Sequence, residues 1–374
     1  MNVGRDDAGT AGGKNRKARI AVIGTGWWAT YTHLPALVGR ADVELVALAN
    51  RGADKLRRAA EAFGVSNTYT DYREMLERED LDGAVVATSH EVHYEAARAA
   101  LERGCHVLLE KPMVLETGQA RELLEIARSR NKEIVVSNPW SYALNVLRAR
   151  EILQSGELGE VQLVSSLFTS FAYETYRGKG ETLDKLFNGD AVEAPIVRPR
   201  DDANTDPGKG GGQGWCQVSH SAALVFWVTG LSARRVSAYM SRLDVAVDVV
   251  DAVSMRLSNG SICTLASTGN LKIGDPGQHT LCVYGSRGYL MLDLIAGTLL
   301  VIRNDGTTES PEPLPEDERY PRFAPANNFV DIILKGRRNL APGLIGRLAV
   351  DVLDAAYRSA AAEGTPIDVE ALPI

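Results

Sequence analysis

The sequence has few cysteines and no pattern of metal-binding residues. Its four cysteines, among 374 residues, are far apart and form no CxxC pair: Cys105, Cys216, Cys263 and Cys282. This spacing argues against a disulfide framework or a zinc knuckle, and it indicates free thiols in a reducing compartment. Histidine, cysteine and aspartate nowhere cluster with the spacing of metal ligands, so we predict no bound metal.

Long apolar runs and an excess of positive charge are also missing. No run approaches the roughly 20 apolar residues that span a bilayer, and residues 1–17 lack the apolar segment of a signal peptide. We therefore expect a disordered leader over residues 1–17, a cytoplasmic protein and no membrane partner. The formal net charge of −7 argues against nucleic acid as a partner.

Up to residue 138 the sequence alternates short apolar runs with amphipathic segments. The apolar runs are Ile20–Ile23, Val43–Ala49, Ala84–Thr88, His106–Leu109 and Ile134–Ser137. Strands that are apolar along their whole length are buried on both faces, as in a parallel sheet covered by helices. The helix candidates between them are Ala53–Phe63, Tyr94–Arg103 and Thr117–Arg128. We predict the α/β fold class, with a Rossmann dinucleotide-binding domain over residues 18–140.

Beyond residue 138 the strand-like runs are longer, and hairpin turns join some of them. These turns are Asn259-Gly260 and Ser286-Arg287-Gly288. We predict a second, α+β domain over residues 141–374 that contains an antiparallel meander. Its closing helices, which can pack back on the first domain, are Asn328–Leu334 and Leu344–Ala362. The stretch Tyr173–Gly212 has little periodicity, and we expect a functional or mobile loop there.

The first apolar run leads directly into Gly24-Thr25-Gly26-Trp27-Trp28-Ala29, a G-x-G-x-x-A pattern. Gly24 permits a tight turn, Gly26 lets the backbone approach a pyrophosphate, and Ala29 allows the helix to pack closely on the strand. The pyrophosphate then lies at the positive end of that helix. Because the pattern stands at the first strand–helix junction of a βαβ unit, we expect a dinucleotide site and not a glycine turn without ligand.

The second apolar run ends in Asn50-Arg51. An acidic residue at this point would hold the 2′-hydroxyl of NAD, and the sequence has none there. Arg51 either pairs with the 2′-phosphate of NADP or is a solvated loop residue that stacks on adenine. The sequence therefore predicts NAD or NADP as cofactor, with a slight preference for NADP.

The tripeptide Glu110-Lys111-Pro112 follows the fourth buried run, and it resembles a signature of the Gfo/Idh/MocA oxidoreductases. Other segments agree with that family in the same order, along nearly the whole chain from Ala18. They are the glycine turn with His33-Leu34-Pro35, then Thr88-Ser89-His90-Glu91-Val92-His93, then Gly210–Gly212 followed by His220, and finally Asn327-Asn328-Phe329-Val330. The resemblance implies a Rossmann domain plus a domain with a large open sheet. Family members use that sheet for subunit contacts, so a homodimer or homotetramer is expected.

By this resemblance, Lys111 lies beside the nicotinamide and the reacting hydroxyl. Partial burial lowers the pKa of a lysine, which can then relay a proton or polarise a carbonyl. The alternative is a surface lysine, although a strand's carboxyl end is where ligands bind in an open α/β sheet. The resemblance also implies cofactor contacts from Glu110, Thr88, Ser89, His90 and His93.

The family's second motif, D-x-x-x-H, is matched at His220, but Cys216 stands in the place of its aspartate. Cysteine is no ordinary acid at neutral pH, since its unperturbed pKa is about 8.5, and we expect Cys216 to serve in packing. Gln217 lies on the same helical face as His220 and is predicted to orient it or to contact substrate. We predict His220 as general base or acid; the alternative is a structural histidine.

Four aromatic residues stand near the predicted site. Trp140 and Tyr142 follow the last strand of the first domain, where they either stack on a sugar face or the nicotinamide edge or pack between the domains. Trp27 and Trp28 lie inside the glycine turn. We expect one of these two to face the cofactor and the other to face the core.

Together these residues predict hydride transfer between a nicotinamide and a CH–OH group of a polyol, sugar, glycoside or cyclitol. His220 acts as the base and Lys111 stabilises the charge on the oxygen. One alternative is oxidation at ring position 3 of a glycoside with tightly bound, recycled NAD, or a dihydrodiol-acid dehydrogenase. The alternative from another class is a non-catalytic NAD(P)-binding sensor or regulator, and the presence of both Lys111 and His220 argues against it.

Overall fold

The computed structural model describes residues 16–179, 196–197 and 202–370. All but the last two residues of the predicted leader, 1–17, lie outside these ranges. The predicted loop Tyr173–Gly212 is described at its two ends and at residues 196–197 only.

The first domain contains a parallel sheet of six strands in the order β3-β2-β1-β4-β5-β6. The strands are β1 Ala18–Ile23, β2 Val43–Ala49, β3 Asn67–Tyr69, β4 Gly83–Val86, β5 His106–Leu109 and β6 Ile134–Val136. The helices between them are α1 Leu34–Val38, α2 Ala53–Phe63, α3 Tyr72–Arg78, α4 His93–Glu102 and α5 Thr117–Ser129. Val22 and Ile23 are buried in different apolar clusters, because helices cover both faces of the sheet. The predicted α/β class with a Rossmann domain is confirmed.

The second sheet has nine strands in the order β14-β13-β12-β11-β7-β10-β9-β8-β15. The strands are β7 Val161–Thr169, β8 Ala233–Ser241, β9 Val250–Leu257, β10 Ile262–Thr268, β11 Gln278–Gly285, β12 Gly288–Asp293, β13 Thr298–Arg303, β14 Thr308–Glu309 and β15 Ile367–Asp368. The hairpins β9–β10 and β11–β12 form at the predicted turns. However, β7 separates them and pairs in parallel with β10. The sheet is therefore mostly antiparallel, as predicted, but it is not a continuous meander.

The helices of the second domain are α6 Leu144–Gln154, α7 Tyr173–Tyr176, α8 Asp202–Thr205, α9 Ser219–Thr229, α10 Glu316–Arg319, α11 Ala324–Lys335 and α12 Gly343–Ala361. Burial alternates strictly along β9, which shows that one face of the sheet is covered and the other is open. Helix α9 is buried on all sides from Ser219 to Val228, since it lies beneath the covered face and against α12.

The closing segment of the chain returns to the first domain. Phe329 of α11 lies so close to Gly83 of β4 that a Cβ at that glycine would be 2.7 Å from its ring. The amide of Val136 in β6 donates to the carbonyl of Ala341, at 2.8 Å. These contacts hold the closing segment of the chain against the parallel sheet.

No helix in the described ranges is long and apolar enough to cross a membrane. In the same ranges, no group of three or more His, Cys, Asp or Glu side chains is arranged to hold a metal ion.

Candidate active site

A cavity of about 2090 Å³ lies at the carboxyl ends of the parallel strands and reaches the covered face of the second sheet. Ligands of open α/β sheets bind at this edge. Residues that follow β1, β2, β4 and β5 line one side, and residues of β7 and the segment that leads into α9 line the other. The cavity exceeds the roughly 300–1,000 Å³ of a usual small-molecule pocket, so a dinucleotide and a substrate can occupy it together.

The glycine turn has the conformation that a dinucleotide needs. Gly24 has φ +95°, and a Cβ at this residue would be 2.4 Å from the carbonyl oxygen of Ala87. A Cβ at Gly26 would meet no atom within 4 Å, because that side of the turn faces the cavity. The backbone at Gly26 is thus open to a pyrophosphate, and the turn fits NAD or NADP.

Both tryptophans of the turn line the cavity beside the glycines. The ring of Trp27 stacks on Tyr31, with 5.7 Å between centroids, and lies 5.5 Å from the ring of Trp28. Arg322 of the second domain places its guanidinium 4.2 Å from the centre of the Tyr31 ring and donates a hydrogen bond to the Tyr31 hydroxyl. These side chains form a wall that joins the two domains and leaves the turn open.

Glu110 connects the end of β5 to the helical turn that follows the glycines. Its Oε1 accepts a hydrogen bond of 2.8 Å from Trp28 Nε1 and lies 2.7 Å from His33 Nε2, and its Oε2 accepts one of 3.1 Å from the amide of Lys111. Burial by itself raises the pKa of this carboxyl. The hydrogen bond and charge of His33, together with the charge of Lys111, outweigh burial and hold the pKa below its usual value.

Lys111 is held by the chain segment that leads into α9. Its Nζ donates a hydrogen bond of 2.7 Å to the backbone carbonyl of Cys216, in the π-helical turn Gly214–Val218. Burial is the main cause that lowers the pKa of Lys111 below 10.5. The Cys216 thiol points to Asn204 Oδ1, at 3.6 Å, and burial raises its pKa. Cys216 therefore orients the lysine through its backbone and supplies no acidic side chain.

His220 lies at the start of α9 and is 7% exposed. Its ring meets the edge of Trp140 at 5.1 Å and lies 6.3 Å from the ring of Phe168. Burial, the positive charge of Lys111 and the neighbouring His279 lower the pKa of His220 well below 6.5. The imidazole is thus neutral at pH 7 and can accept a proton. Gln217, three residues earlier, lines the same cavity.

The opposite end of the cavity lies at the tip of β2. The Asn50 amide accepts a hydrogen bond of 3.4 Å from the backbone N–H of Thr25 and donates one of 3.0 Å to the carbonyl of Gly52. Arg51 is exposed and lines the wall. Thr88 and Ser89, which follow β4, line the cavity between this end and Lys111.

Most residues predicted from the sequence meet in this one cavity. The predicted residues that line it are Gly24, Gly26, Trp27, Trp28, Asn50, Arg51, Thr88, Ser89, Glu110, Lys111, Trp140, Gln217 and His220. The glycine turn, the lysine and the histidine thus share a single space, although nearly 200 residues separate the first from the last.

Three predicted site residues lie behind the cavity wall. His93 is fully buried, with its ring nitrogens 2.8 and 3.3 Å from the carbonyls of Pro112 and Thr88. His90 bonds the carbonyl of Gly210, at 3.0 Å. Tyr142 donates to Asn328 Oδ1, at 3.1 Å, and packs against the core of the first domain. Each of these side chains holds a backbone or side-chain group in place, and none of them lines the cavity.

Several lining residues lie outside the sequence predictions. Phe168 ends the covered face of β7, and strand alternation could have placed it inward. Tyr320 lies 4.8 Å from the Trp140 ring, in a Pro-rich link without periodicity. Tyr31 and Arg322 are in contact because the closing segment of the chain returns to the first domain. No local pattern in the sequence indicates these last three.

Both domains match known protein families. Residues 18–138 match the family described as "Oxidoreductase family, NAD-binding Rossmann fold", and residues 146–291 match the family described as "GFO/IDH/MocA C-terminal domain".

Individual proteins extend this likeness. An uncharacterized oxidoreductase of Synechocystis sp. is 26% identical over 292 residues, which cover 75% of this chain and 72% of that protein. D-glucoside 3-dehydrogenase of Escherichia coli is 33% identical over 148 residues, which cover 40% of this chain and 42% of that protein. The crystal structure of GenD2 from gentamicin A biosynthesis, in complex with NAD, has a TM-score of 0.74 and 25% identity. It covers 95% of this chain and 97% of that one.

Proposed function

The chain belongs to the Gfo/Idh/MocA oxidoreductase family, and from this premise we propose that it transfers a hydride between NAD or NADP and a CH–OH carbon of a sugar, glycoside or cyclitol. The reverse reaction reduces the matching ketone. The observation that carries the proposal is the single cavity in which the open glycine turn faces Lys111 and His220. A nicotinamide supplies the hydride acceptor or donor when the cofactor is bound.

The first domain binds and orients the nucleotide. The open backbone at Gly26 receives the pyrophosphate at the start of a helix, where N–H groups are unpaired. Glu110 fixes this helical turn through Trp28 and His33. Thr88 and Ser89 line the path from the turn to Lys111.

Two side chains handle the proton of the substrate hydroxyl. His220 is neutral because burial lowers its pKa, so it takes the proton as the carbon–hydrogen bond breaks. The Lys111 ammonium, held by the carbonyl of Cys216, donates a hydrogen bond to the same oxygen and stabilises its negative charge. In the direction of ketone reduction, the protonated His220 returns the proton.

Aromatic rings and an amide recognise the substrate. Trp140 meets His220, Tyr320 and Phe168 through edge-on contacts, and these rings line the part of the cavity around the base. The apolar face of a sugar ring stacks on such surfaces. Gln217 supplies a donor and an acceptor for hydroxyl groups.

The test uses purified protein, a panel of polyols, glycosides and keto-sugars, and nicotinamide absorbance as readout. We expect turnover with a member of the panel. Lys111→Ala and His220→Ala should each lose at least about a hundredfold in kcat, while circular dichroism and melting temperature show that they remain folded. Full activity in both variants would remove the site assignment. Nucleotide binding without turnover on the whole panel would favour a sensor.

A narrower version of this function, oxidation of a glycoside at ring position 3 with a retained nucleotide, has its own support. Arg322 packs on the ring of Tyr31 and donates a hydrogen bond to its hydroxyl across the two domains. Such a contact hinders nucleotide release. The similarity to D-glucoside 3-dehydrogenase points to the same substrate class. Nucleotide that copurifies and survives dialysis supports this version, and rapid exchange with free nucleotide contradicts it.

We propose a cytoplasmic homodimer or homotetramer that works on small molecules and binds neither nucleic acid nor membranes. Exposed apolar side chains on the open face of the second sheet support the subunit contact: Leu163, Tyr239, Ile262, Tyr284 and Met291.

A further inference from the structure

Three cationic side chains line the wall of the cavity at the tips of β2 and β3. Arg51 follows β2, Lys55 lies in the first turn of α2, and Arg73 lies in the first turn of α3. The two strand ends are adjacent, because Ala49 pairs with Tyr69 and the amide of Asn50 donates to the carbonyl of Tyr69. The three cations therefore surround one corner of the cavity.

Two of these charges remain available to a ligand. Within the described residues, no hydrogen bond or ion pair occupies the Arg51 guanidinium. The Arg73 guanidinium stacks on the ring of Tyr72, at 4.6 Å, and lies 4.0 Å from the nearest oxygen of Asp71. That distance is too long for a strong hydrogen-bonded pair.

An acidic residue after β2 would bind the ribose 2′-hydroxyl of NAD, and the carboxylates near this corner do not take its place. Asp54 lines the same wall, but Arg57 and Arg58 already pair with it, at 2.9 and 3.1 Å. The amide of Asn50, at the strand tip, is engaged with Thr25 and Gly52. Among the residues that the structure describes, no free carboxylate therefore stands where the 2′-hydroxyl of NAD would be held.

Two further carboxylates, Glu91 and Glu95, line the cavity after β4. Strand β1 lies between β2 and β4, which separates their tips by roughly 10 Å at two strand spacings. Ser89 also donates a hydrogen bond of 2.8 Å to Glu91. The residues after β4 thus lie two strands away from Arg51. Burial raises the pKa of Tyr72, on which Arg73 stacks, however, and Glu95 is close enough for its negative charge to raise that pKa further.

We propose that this corner is a phosphomonoester site that binds the 2′-phosphate of NADP, so that the protein selects NADP over NAD. The inference rests on the proposed function, since it places the adenosine ribose at the tip of β2. Arg51 and Arg73 hold the phosphate oxygens through charge-assisted hydrogen bonds from their planar guanidinium groups. Lys55 adds a third positive charge to the wall.

The test is a titration of nucleotide-free protein with NADP and with NAD, followed by tryptophan fluorescence or calorimetry. We expect NADP to bind at least about tenfold more tightly. Arg51→Ala and Arg73→Ala should each weaken NADP binding about tenfold and change NAD binding less than about twofold. The matched control is Arg128→Ala, an exposed arginine of α5 outside the cavity, which should change neither affinity.

Competition with adenosine 2′,5′-bisphosphate and with ADP measures the contribution of the 2′-phosphate to binding without that of the nicotinamide. The bisphosphate should compete better with the wild-type protein, and this advantage should vanish in Arg51→Ala. Equal or tighter binding of NAD, or equal losses for both nucleotides in the variants, would overturn the phosphate site and leave the proposed function standing. Binding of neither nucleotide would overturn both.

Discussion

Burial sets the charge of the His220 imidazole, and this gives the reaction a specific pH dependence. The pKa of His220 lies well below 6.5, so the ring stays neutral as the pH falls through 6.5. We expect kcat/KM for hydroxyl oxidation to remain constant through that range and to fall only at lower pH. Loss of rate at high pH should begin below pH 10.5, because burial lowers the pKa of Lys111. An acid limb at or above pH 6.5 would contradict the assignment of the base.

His279 lies behind the active site, and its burial makes stability depend on pH. The ring stacks on Phe168 at 4.2 Å, and burial lowers its pKa to about 3. The unfolded chain, with a histidine pKa of about 6.5, binds the proton first. The folded state therefore loses about 2 kcal/mol between pH 6.5 and about pH 5. His279→Phe keeps the stack and should remove that loss, as measured by urea unfolding at both pH values. An unchanged pH dependence would contradict this.

The proposed catalytic residues could be predicted because each belongs to a short motif, whereas the groups that hold them in place could not. Lys111 follows a buried strand inside a recognisable tripeptide, and His220 follows a triple glycine. The hydrogen bond from Lys111 to the carbonyl of Cys216 cannot be predicted from the sequence, because every residue carries the same backbone carbonyl group. His90 and His93 lie in a recognisable segment as well, but the rotation of the helix start turns their rings into the protein.

At the level of secondary-structure elements, the two glycines of the turn after β1 have different roles: Gly24 is needed for folding, and Gly26 leaves space for the nucleotide. Gly24→Ala places a methyl group 2.4 Å from a carbonyl oxygen at φ +95°, and we expect a loss of at least about 2 kcal/mol in unfolding free energy. Gly26→Ala meets no atom within 4 Å, so its stability should stay within about 0.5 kcal/mol of wild type.

The same pair of variants separates folding from nucleotide binding. The Gly26→Ala methyl group occupies the space through which a pyrophosphate reaches the backbone, so binding should weaken at least about tenfold in a protein that is fully folded. Denaturant unfolding and nucleotide titration measure the two effects. Unchanged nucleotide affinity in Gly26→Ala would contradict a dinucleotide at this turn.

Element prediction succeeded where burial was high. The runs at β1, β2 and β5 are apolar throughout because both faces of the sheet are covered. Strand β3, with three residues and no buried one, was not predicted, since only its pairing with β2 makes it a strand. The short strands β14 and β15 depend on tertiary pairing in the same way.

For the whole molecule, we predict an oligomer because large apolar side chains are exposed on the open face of the second sheet. Ile262 of β10 is 49% exposed on that face, among other large apolar side chains. We expect Ile262→Lys to shift the protein toward monomer in sedimentation velocity, because a buried unpaired charge opposes association. Val38→Lys is the matched control, since Val38 is 50% exposed on the first domain. A monomeric wild-type protein would contradict the proposal.

The arrangement of the whole chain goes beyond what local patterns contain. Strand β7 is the first of its sheet along the chain, yet it lies between β10 and β11. The closing segment packs Phe329 against β4 and brings Arg322 to Tyr31. Both features arise from contacts between residues more than 90 positions apart, so hydrophobic periodicity predicts the elements and leaves their order in space undetermined.

A crystal structure of the protein with bound nucleotide and a substrate or product would test the proposed hydride transfer at Lys111 and His220 most directly. We expect the pyrophosphate at Gly24–Gly26, with the substrate oxygen in hydrogen-bond contact with both Lys111 Nζ and His220. The carbinol carbon should lie roughly 3–3.5 Å from C4 of the nicotinamide. A nicotinamide directed away from Lys111 and His220, or a nucleotide bound elsewhere, would contradict it.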